Sequence, residues 1–134
     1  MKIYDVTIGR GEDIRAGLTT YICEKGWDSV WVAGAVGSVK DMVFTTPSQN
    51  TLPLCTEQKQ CRDAAELLTF TGEVMKIEQM DSELKAVYQD LSSPLFIHIH
   101  ASCAACGGKI FGGGLLSGRA FRAVRVFLVP LERG

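Results

Sequence analysis

The chain contains only two histidines, His98 and His100, and a single residue separates them. They lie in residues 94–103 (PLFIHIHASC), where apolar and polar residues alternate as in a β-strand. Side chains two residues apart on a strand project from the same face, about 7 Å from each other. Two such imidazoles can share a metal ion, with a third ligand supplied from elsewhere. The alternative is a histidine pair that lines a polar groove through hydrogen bonds.

Acid–base chemistry is a second use for the same pair, since imidazole exchanges protons near neutral pH. Glu66 is a candidate carboxylate partner, although no spacing argument places it beside the histidines. Ser38 lies in GAVGSV, which does not match the GxSxG nucleophile motif, and the glycine clusters lack the strand–glycine–helix context of a phosphate loop. We therefore assign no catalytic or cofactor-binding residue and do not favour an enzyme.

The chain has five cysteines, an odd number that argues against a secreted disulfide framework. Cys103-Ala-Ala-Cys106 has the CxxC spacing of half a zinc site or of a redox pair. A Gly-Gly turn follows it, whereas a redox pair usually precedes a helix that lowers the thiol pKa. Along a strand Cys103 lies about 10 Å from His100, so joint metal ligation would need a tight bend. We expect structural thiols here, and the spacing of Cys55 and Cys61 matches no common site.

Length and composition predict one folded domain over residues 1–134. The chain has 134 residues, 46% of them hydrophobic, and a formal net charge of −1. Domains cluster at about 100–150 residues, and this balance of apolar and charged residues is typical of folded proteins rather than disordered ones. No apolar run reaches the length of a membrane helix, and the first residues lack a signal-peptide pattern. These features favour a cytoplasmic protein with no membrane partner.

The charge is distributed unevenly along the chain. Residues 1–106 carry 9 basic and 14 acidic side chains, whereas residues 107–134 carry 5 basic side chains and 1 acidic one. Arg119, Arg122 and Arg125 in the last predicted strand are candidate nucleic-acid contacts. The alternative is a set of solvated arginines that protect an edge strand from aggregation. The total charge argues against a protein that coats DNA by neutralising its phosphates.

The hydrophobic periodicity predicts an α+β fold, a mostly antiparallel β-sheet or sandwich with one principal helix at about residues 12–25. Ile14, Leu18, Tyr21 and Ile22 form one apolar face of this helix, and Gly26 follows as a stop signal. Residues 47–63 have the composition of a loop, and residues 81–93 form a short helix or an ordered loop. The predicted strands lie at residues 2–8, 29–39, 40–46, 94–103, 110–118 and 119–131, and residues 65–80 form either two strands or one long strand that bends at Gly72.

Four ordered stretches together resemble the PPC (plants and prokaryotes conserved) domain family, whose prokaryotic members are known as predicted DNA-binding proteins. The stretches are GEDIRAGLTTYICEKG (11–26), WVAGAVGSV (31–39), AELLTFTGEV (65–74) and HIHASCAACGGKIFGGGLLSG (98–118), which span nearly the whole chain. The resemblance implies a mostly antiparallel sheet with one principal helix, assembled as a homotrimer.

The resemblance also implies a metal site, built from the two histidines of a His-x-His motif and the histidine of a Gly-Gly-His motif. His98 and His100 match the first two positions, but the third is Gly114, which has no side chain to ligate a metal. We therefore expect a degenerate site with weakened binding of zinc or another divalent metal. A water, a cysteine from the hairpin or a neighbouring subunit could supply the missing ligand.

Plant members carry a separate AT-hook, an Arg-Gly-Arg-Pro core that reaches into the minor groove, and this sequence has no such core. The sequence thus predicts a stand-alone PPC-domain protein, a DNA-binding or transcription-associated regulatory homotrimer. The alternative is a small-molecule or metal-binding protein, even an enzyme, with a site around His98 and His100 at a subunit cleft. A third hypothesis, a module that docks other proteins, stays open.

Overall fold

The computed structural model describes residues 1–88 and 91–132. Short 3₁₀ turns occur at Ile77–Gln79, Ser82–Ala86 and Cys106–Gly108. The main elements, in chain order, are β1 (Tyr4–Gly9), α1 (Ile14–Lys25), β2 (Val30–Pro47), β3 (Thr56–Cys61), β4 (Ala65–Lys76), β5 (Leu95–Ala105) and β6 (Lys109–Pro130).

The six strands form one antiparallel sheet in the order β1-β6-β5-β4-β2-β3, and β6 also pairs with β2. This extra pairing closes β2, β4, β5 and β6 into a ring, with β1 and β3 attached outside it. The long strands β2 and β6 bend at several register shifts along their shared ladder, as closure of a small sheet requires. The predicted α+β class and its mostly antiparallel sheet are confirmed.

Some strand boundaries differ from the prediction. The predicted strands 29–39 and 40–46 are one continuous strand, β2, and the predicted strands 110–118 and 119–131 are one strand, β6. The predicted loop at 47–63 contains β3, which pairs with the edge of β2. Its residues are almost all polar and exposed, so their sequence lacks the apolar pattern of a strand. The ambiguous segment 81–93 contains one 3₁₀ turn, and its residues 89–90 lie outside the described residues.

Helix α1 begins two residues after the predicted start, at Ile14, and ends at the predicted position, before Gly26. The Asp13 carboxylate accepts a hydrogen bond of 2.8 Å from the Ala16 N–H, and Gly26 closes the last turn with a φ of 72°. Ile14, Leu18 and Ile22 are fully buried and attach the helix to the sheet. No helix in the described ranges, 1–88 and 91–132, is long and apolar enough to cross a membrane.

The two faces of β5 pack against two different hydrophobic clusters. Ile97 and Ile99 point into the main core inside the ring, where they are 1% and 0% exposed. The alternate residues therefore point outward. Part of this outer face is covered by a second cluster, in which Met80 and Tyr88 from the segment between β4 and β5 pack with Phe96 of β5.

Candidate functional site

His98 and His100 lie side by side on the outer face of β5. Their ring centroids are 5.2 Å apart at an interplanar angle of 76°. His98 is partly buried and His100 is exposed. The strand and the shared face were predicted from the alternating sequence, and both predictions are confirmed.

A row of side chains crosses three strands at the level of His98. Trp31 on β2 pairs with Glu73 on β4, and Glu73 pairs with His98 on β5. Directly paired residues project from the same face, so these three side chains are neighbours. The Glu73 Oε1 atom lies 3.9 Å from His98 Nδ1. They border a cavity of 510 Å³ that is lined by Trp31, Thr71, Gly72, Glu73, His98, His100 and Leu131.

The carboxylate of this site is Glu73 and not Glu66, the candidate carboxylate partner named from the sequence. Glu66 pairs with Ala104, four residues beyond His100 on β5. That separation corresponds to about 13 Å along a strand. The structure therefore does not bring Glu66 and the histidines together.

The surroundings of His98 favour the neutral imidazole. Its ring stacks on Phe96, with centroids 5.1 Å apart and planes at 16°, and meets the edge of Tyr88 at 5.8 Å. Burial lowers the pKa of His98 below its usual value, and the charges of His100 and Arg15 lower it further. The neighbouring Glu73 carboxylate acts in the opposite direction without reversing the shift.

Arg15 links α1 to the strands that carry the site. Its Nη1 atom donates hydrogen bonds to the carbonyl oxygens of Ile97 at 2.8 Å and Leu115 at 3.0 Å. Its guanidinium carbon lies 5.6 Å from the ring centroid of Tyr88. Burial raises the pKa of Tyr88, and the charge of Arg15 partly opposes that rise. Sequence reasoning missed both residues, because only the fold brings the helix and the segment before β5 together.

Gly114 lies directly opposite His100 on β6, which is the position that the resemblance assigns to the third metal ligand. A Cβ atom placed on Gly114 would collide with the Tyr88 hydroxyl and would lie 3.0 Å from Thr45 Cγ2. Within residues 1–88 and 91–132, no group of three His, Cys, Asp or Glu side chains is arranged to hold a metal ion. The residues present therefore do not fit a three-histidine metal centre.

The CxxC spacing does not produce a pair of neighbouring thiols. Cys103 points into the core, whereas Cys106 is exposed in the turn that follows β5. Burial raises the pKa of Cys103 to about 12, and the nearby Cys61 thiol adds to this rise. All five cysteines are free, and the interpretation of Cys103 as a structural thiol agrees with its burial. Only the fold reveals its contact with Cys61.

The three arginines of β6 are all exposed, but they differ in their contacts. Arg125 Nε donates to Asp5 Oδ2 at 2.7 Å, so its charge is paired. Arg119 Nη1 donates to the neutral Gly11 carbonyl oxygen at 3.1 Å. The Arg122 backbone N–H donates to Ser38 Oγ at 3.2 Å, which leaves its side chain out of that bond.

Lys40 on β2 is a further cation that sequence reasoning missed. It is exposed and lies directly opposite Arg119 in the β2–β6 ladder. We call Lys40, Arg119 and Arg122 the basic patch. None of the ion pairs found among the described residues includes a member of this patch.

A family model for the Plants and Prokaryotes Conserved (PCC) domain matches residues 1–132. The chain belongs to this family. The resemblance seen in the sequence is thus confirmed, and the ring of strands with helix α1 is the PCC fold of this chain. No curated protein matches the chain significantly.

Solved structures share this PCC fold along their length. A plant- and prokaryote-conserved protein from Pyrococcus horikoshii is 18% identical, with a TM-score of 0.72, and the match covers 99% of this chain and 81% of that one. A metal-containing protein from Archaeoglobus fulgidus is 25% identical, with a TM-score of 0.74 and coverage of 98% and 81%. A proposed DNA-binding protein from Bacteroides thetaiotaomicron is 18% identical, with a TM-score of 0.75 and coverage of 98% and 80%.

Proposed function

We propose that this PCC-domain protein binds duplex DNA through the basic patch and acts in the cytoplasm as a homotrimeric, transcription-associated regulator. The shared fold with a proposed DNA-binding protein supports the choice of ligand. The observation that carries the proposal is the placement of Lys40 directly opposite Arg119 on an exposed ladder, with Arg122 close by along β6.

Like charges that face each other across an antiparallel pair destabilise a sheet. Within the part of the chain that the structure describes, the Arg119 side chain donates to the neutral Gly11 carbonyl oxygen, which does not cancel its charge. A phosphate group between Lys40 and Arg119 would replace this repulsion with two favourable contacts. Arginine and lysine contacts to phosphate position a protein on DNA without reading its sequence.

Arg122 extends the patch at a point where the backbone is irregular. The ladder between β2 and β6 shifts register between Gly37/Val124 and Val39/Ala120, and Arg122 lies in the extra stretch of β6. A bulge of this kind redirects a side chain away from the regular pleat. The patch thus presents three cations from two strands toward solvent.

A chain of net charge −1 has little long-range attraction for DNA, so binding depends on local contacts and on multiplicity. In a homotrimer the three copies of the patch would raise the apparent affinity if one duplex can reach more than one of them. We therefore expect weak, salt-sensitive and sequence-tolerant binding by each patch, strengthened by assembly.

The test is fluorescence anisotropy of tag-free protein with a random-sequence duplex, titrated from low to physiological salt. The double variant Lys40→Ala/Arg122→Ala removes two cations whose side chains make no hydrogen bond to any of the described residues. We expect the magnitude of the salt slope to fall by about 2 for each protomer that contacts DNA. Arg125→Ala is the matched control, because it removes an arginine whose charge is already paired with Asp5.

Equal affinity and equal salt slope in the wild type and in Lys40→Ala/Arg122→Ala would refute the patch as the DNA-binding surface. A larger effect of Arg125→Ala than of the double variant would also contradict it. Light scattering coupled to size-exclusion chromatography tests the assembly separately, and a mass of one chain would refute the homotrimer.

A second candidate function is small-molecule binding in the cavity beside the histidines. The observation that favours it is Trp31, which is 44% exposed although it adjoins Glu73 and His98 in a concave site. Exposed aromatic rings with a few convergent polar groups are typical of ligand pockets. A compound that quenches tryptophan fluorescence in the wild type, but not in His98→Ala, would support this function. Quenching that His98→Ala leaves unchanged would contradict it.

A further inference from the structure

The position that faces His100 from β6 is filled by a side chain from another part of the chain. His100 pairs with Gly114, and paired residues have Cβ positions about 5 Å apart. The hydroxyl of Tyr88 occupies the space that a Gly114 side chain would need. We propose that Tyr88 has replaced a third ligand at this position, and that His98 and His100 in this chain form a site without a tightly bound divalent metal.

Tyr88 is held firmly in that space by its packing. Its ring is 6% exposed and meets the edge of Phe96 with centroids 5.1 Å apart. It also meets the edge of His98, so the phenol contacts the histidine pair directly. A Cβ atom at Gly114 could enter only if the Tyr88 hydroxyl moved away or were absent, because the ring carbon that carries this hydroxyl lies at an ordinary contact distance of 3.6 Å. A change at Gly114 alone, or at Tyr88 alone, would therefore not create the three-histidine arrangement.

The guanidinium of Arg15 also opposes a metal cation at this site. Arg15 donates to the carbonyl oxygen of Leu115, the residue that follows Gly114, and its guanidinium lies over the Tyr88 ring. A divalent cation held by the imidazoles would be repelled by the positive charge of this guanidinium. A zinc site instead needs a third protein ligand, and Glu73, on the opposite side of His98, does not complete one.

The test compares zinc binding by metal-stripped, tag-free protein with binding by variants at the two positions. Isothermal calorimetry measures affinity, and the visible absorption of bound cobalt reports whether imidazoles ligate the metal. The variants are Gly114→His, Tyr88→Phe, Tyr88→Phe/Gly114→His and Tyr88→Ala/Gly114→His. Because the inference is about metal alone, it does not depend on whether the basic patch binds DNA, and the DNA assay does not affect its outcome.

We expect no tight zinc binding by the wild type or by Tyr88→Phe. Zinc affinity should rise only in the variants that both remove the Tyr88 hydroxyl and add a histidine at position 114. The gain in zinc affinity should exceed about 100-fold, because a restored ligand contributes more than an outer-shell partner, whose loss costs about 10–100-fold. His98→Ala in the same double background should abolish it.

Tight, stoichiometric zinc binding by the wild type would overturn the proposal, and its loss in Tyr88→Phe would identify the phenol as a ligand instead. Tight binding by Gly114→His alone would overturn the steric argument. Folded double variants that gain nothing would overturn the role of Tyr88. If the double variants do not fold, as judged by thermal melting, the wild type and Tyr88→Phe still decide whether the histidine pair holds a metal.

Discussion

Replacement of Arg15 by methionine tests whether one helix side chain holds the candidate site in place. The change keeps an apolar stem of similar length and removes the guanidinium. Two backbone carbonyl oxygens, of Ile97 on β5 and Leu115 on β6, then lose their donor. These two strands carry the histidine pair and Gly114, so the loss falls at the centre of the site.

The expected cost follows from the contacts that are removed. A hydrogen bond from a charged donor contributes about 1.5–3 kcal/mol, and a cation over an aromatic ring adds about 0.5–1 kcal/mol at an accessible position. Arg15 is only partly buried, so water can replace part of the hydrogen bonding that the two carbonyl oxygens lose. We therefore expect Arg15→Met to lower the free energy of unfolding by about 2–4 kcal/mol, a large share of the stability of a small domain.

The assay is urea unfolding at a fixed protein concentration, followed by circular dichroism. Arg62→Met is the matched control, because among the described residues Arg62 makes only an exposed hydrogen bond to Gln60 Oε1 at 3.2 Å and an exposed ion pair with Asp41 at 4.0 Å. Such a pair contributes about 0–1 kcal/mol. If Arg15→Met destabilised the protein no more than Arg62→Met, Arg15 would not be the link between α1 and the site.

Three further predictions concern the strands, a titration and the thiols. Gly72→Ala should prevent folding, because its Cβ would collide with the His98 backbone carbonyl. Gly34→Ala should give soluble protein, because the atom nearest to its Cβ is a carbonyl oxygen 4.0 Å away. Equal yields of soluble protein from the two variants would contradict this prediction. The pKa of His98 is lowered in the folded state, so the unfolded chain takes up that proton first and stability falls as the pH drops below about 6.5. The melting temperature of His98→Gln should therefore fall less over this acidic range, and parallel curves would refute the shift. A thiol reagent should modify three cysteines of the native protein and reach Cys61 and Cys103 only after unfolding; rapid reaction of all five would contradict their burial.

The outer face of β5 shows what local sequence can predict. Strict alternation around His98 and His100 indicated both the strand and the shared face, because a side-chain period of two depends only on the backbone of that strand. The stop at Gly26 is similarly local and predicted where α1 ends, whereas α1 begins at Ile14, after the Asp13 cap and two residues later than predicted. The absence of a third histidine at position 114 could also be read from the sequence alone.

Strand continuity could not be predicted in the same way. The glycines and the change of pattern near residues 40 and 118 suggested ends of strands, but β2 and β6 pass through these points as bends. The same residue types occur at a bulge and at the end of a strand, and only the pairing of β6 with β2 decides between the two. Closure of the ring is therefore a property of the whole chain.

The partners of the site residues were likewise decided only by the tertiary structure. Glu73 rather than Glu66 adjoins His98, and Tyr88 fills the space at Gly114, because cross-strand register and the path of the segment before β5 set these contacts. The same holds for Arg15, which lies 100 residues from one of its acceptors. Sequence thus determined which chemical groups this protein has and which way a strand or helix presents them. The fold determined which groups meet, since register and closure depend on pairings between distant segments that no local pattern records.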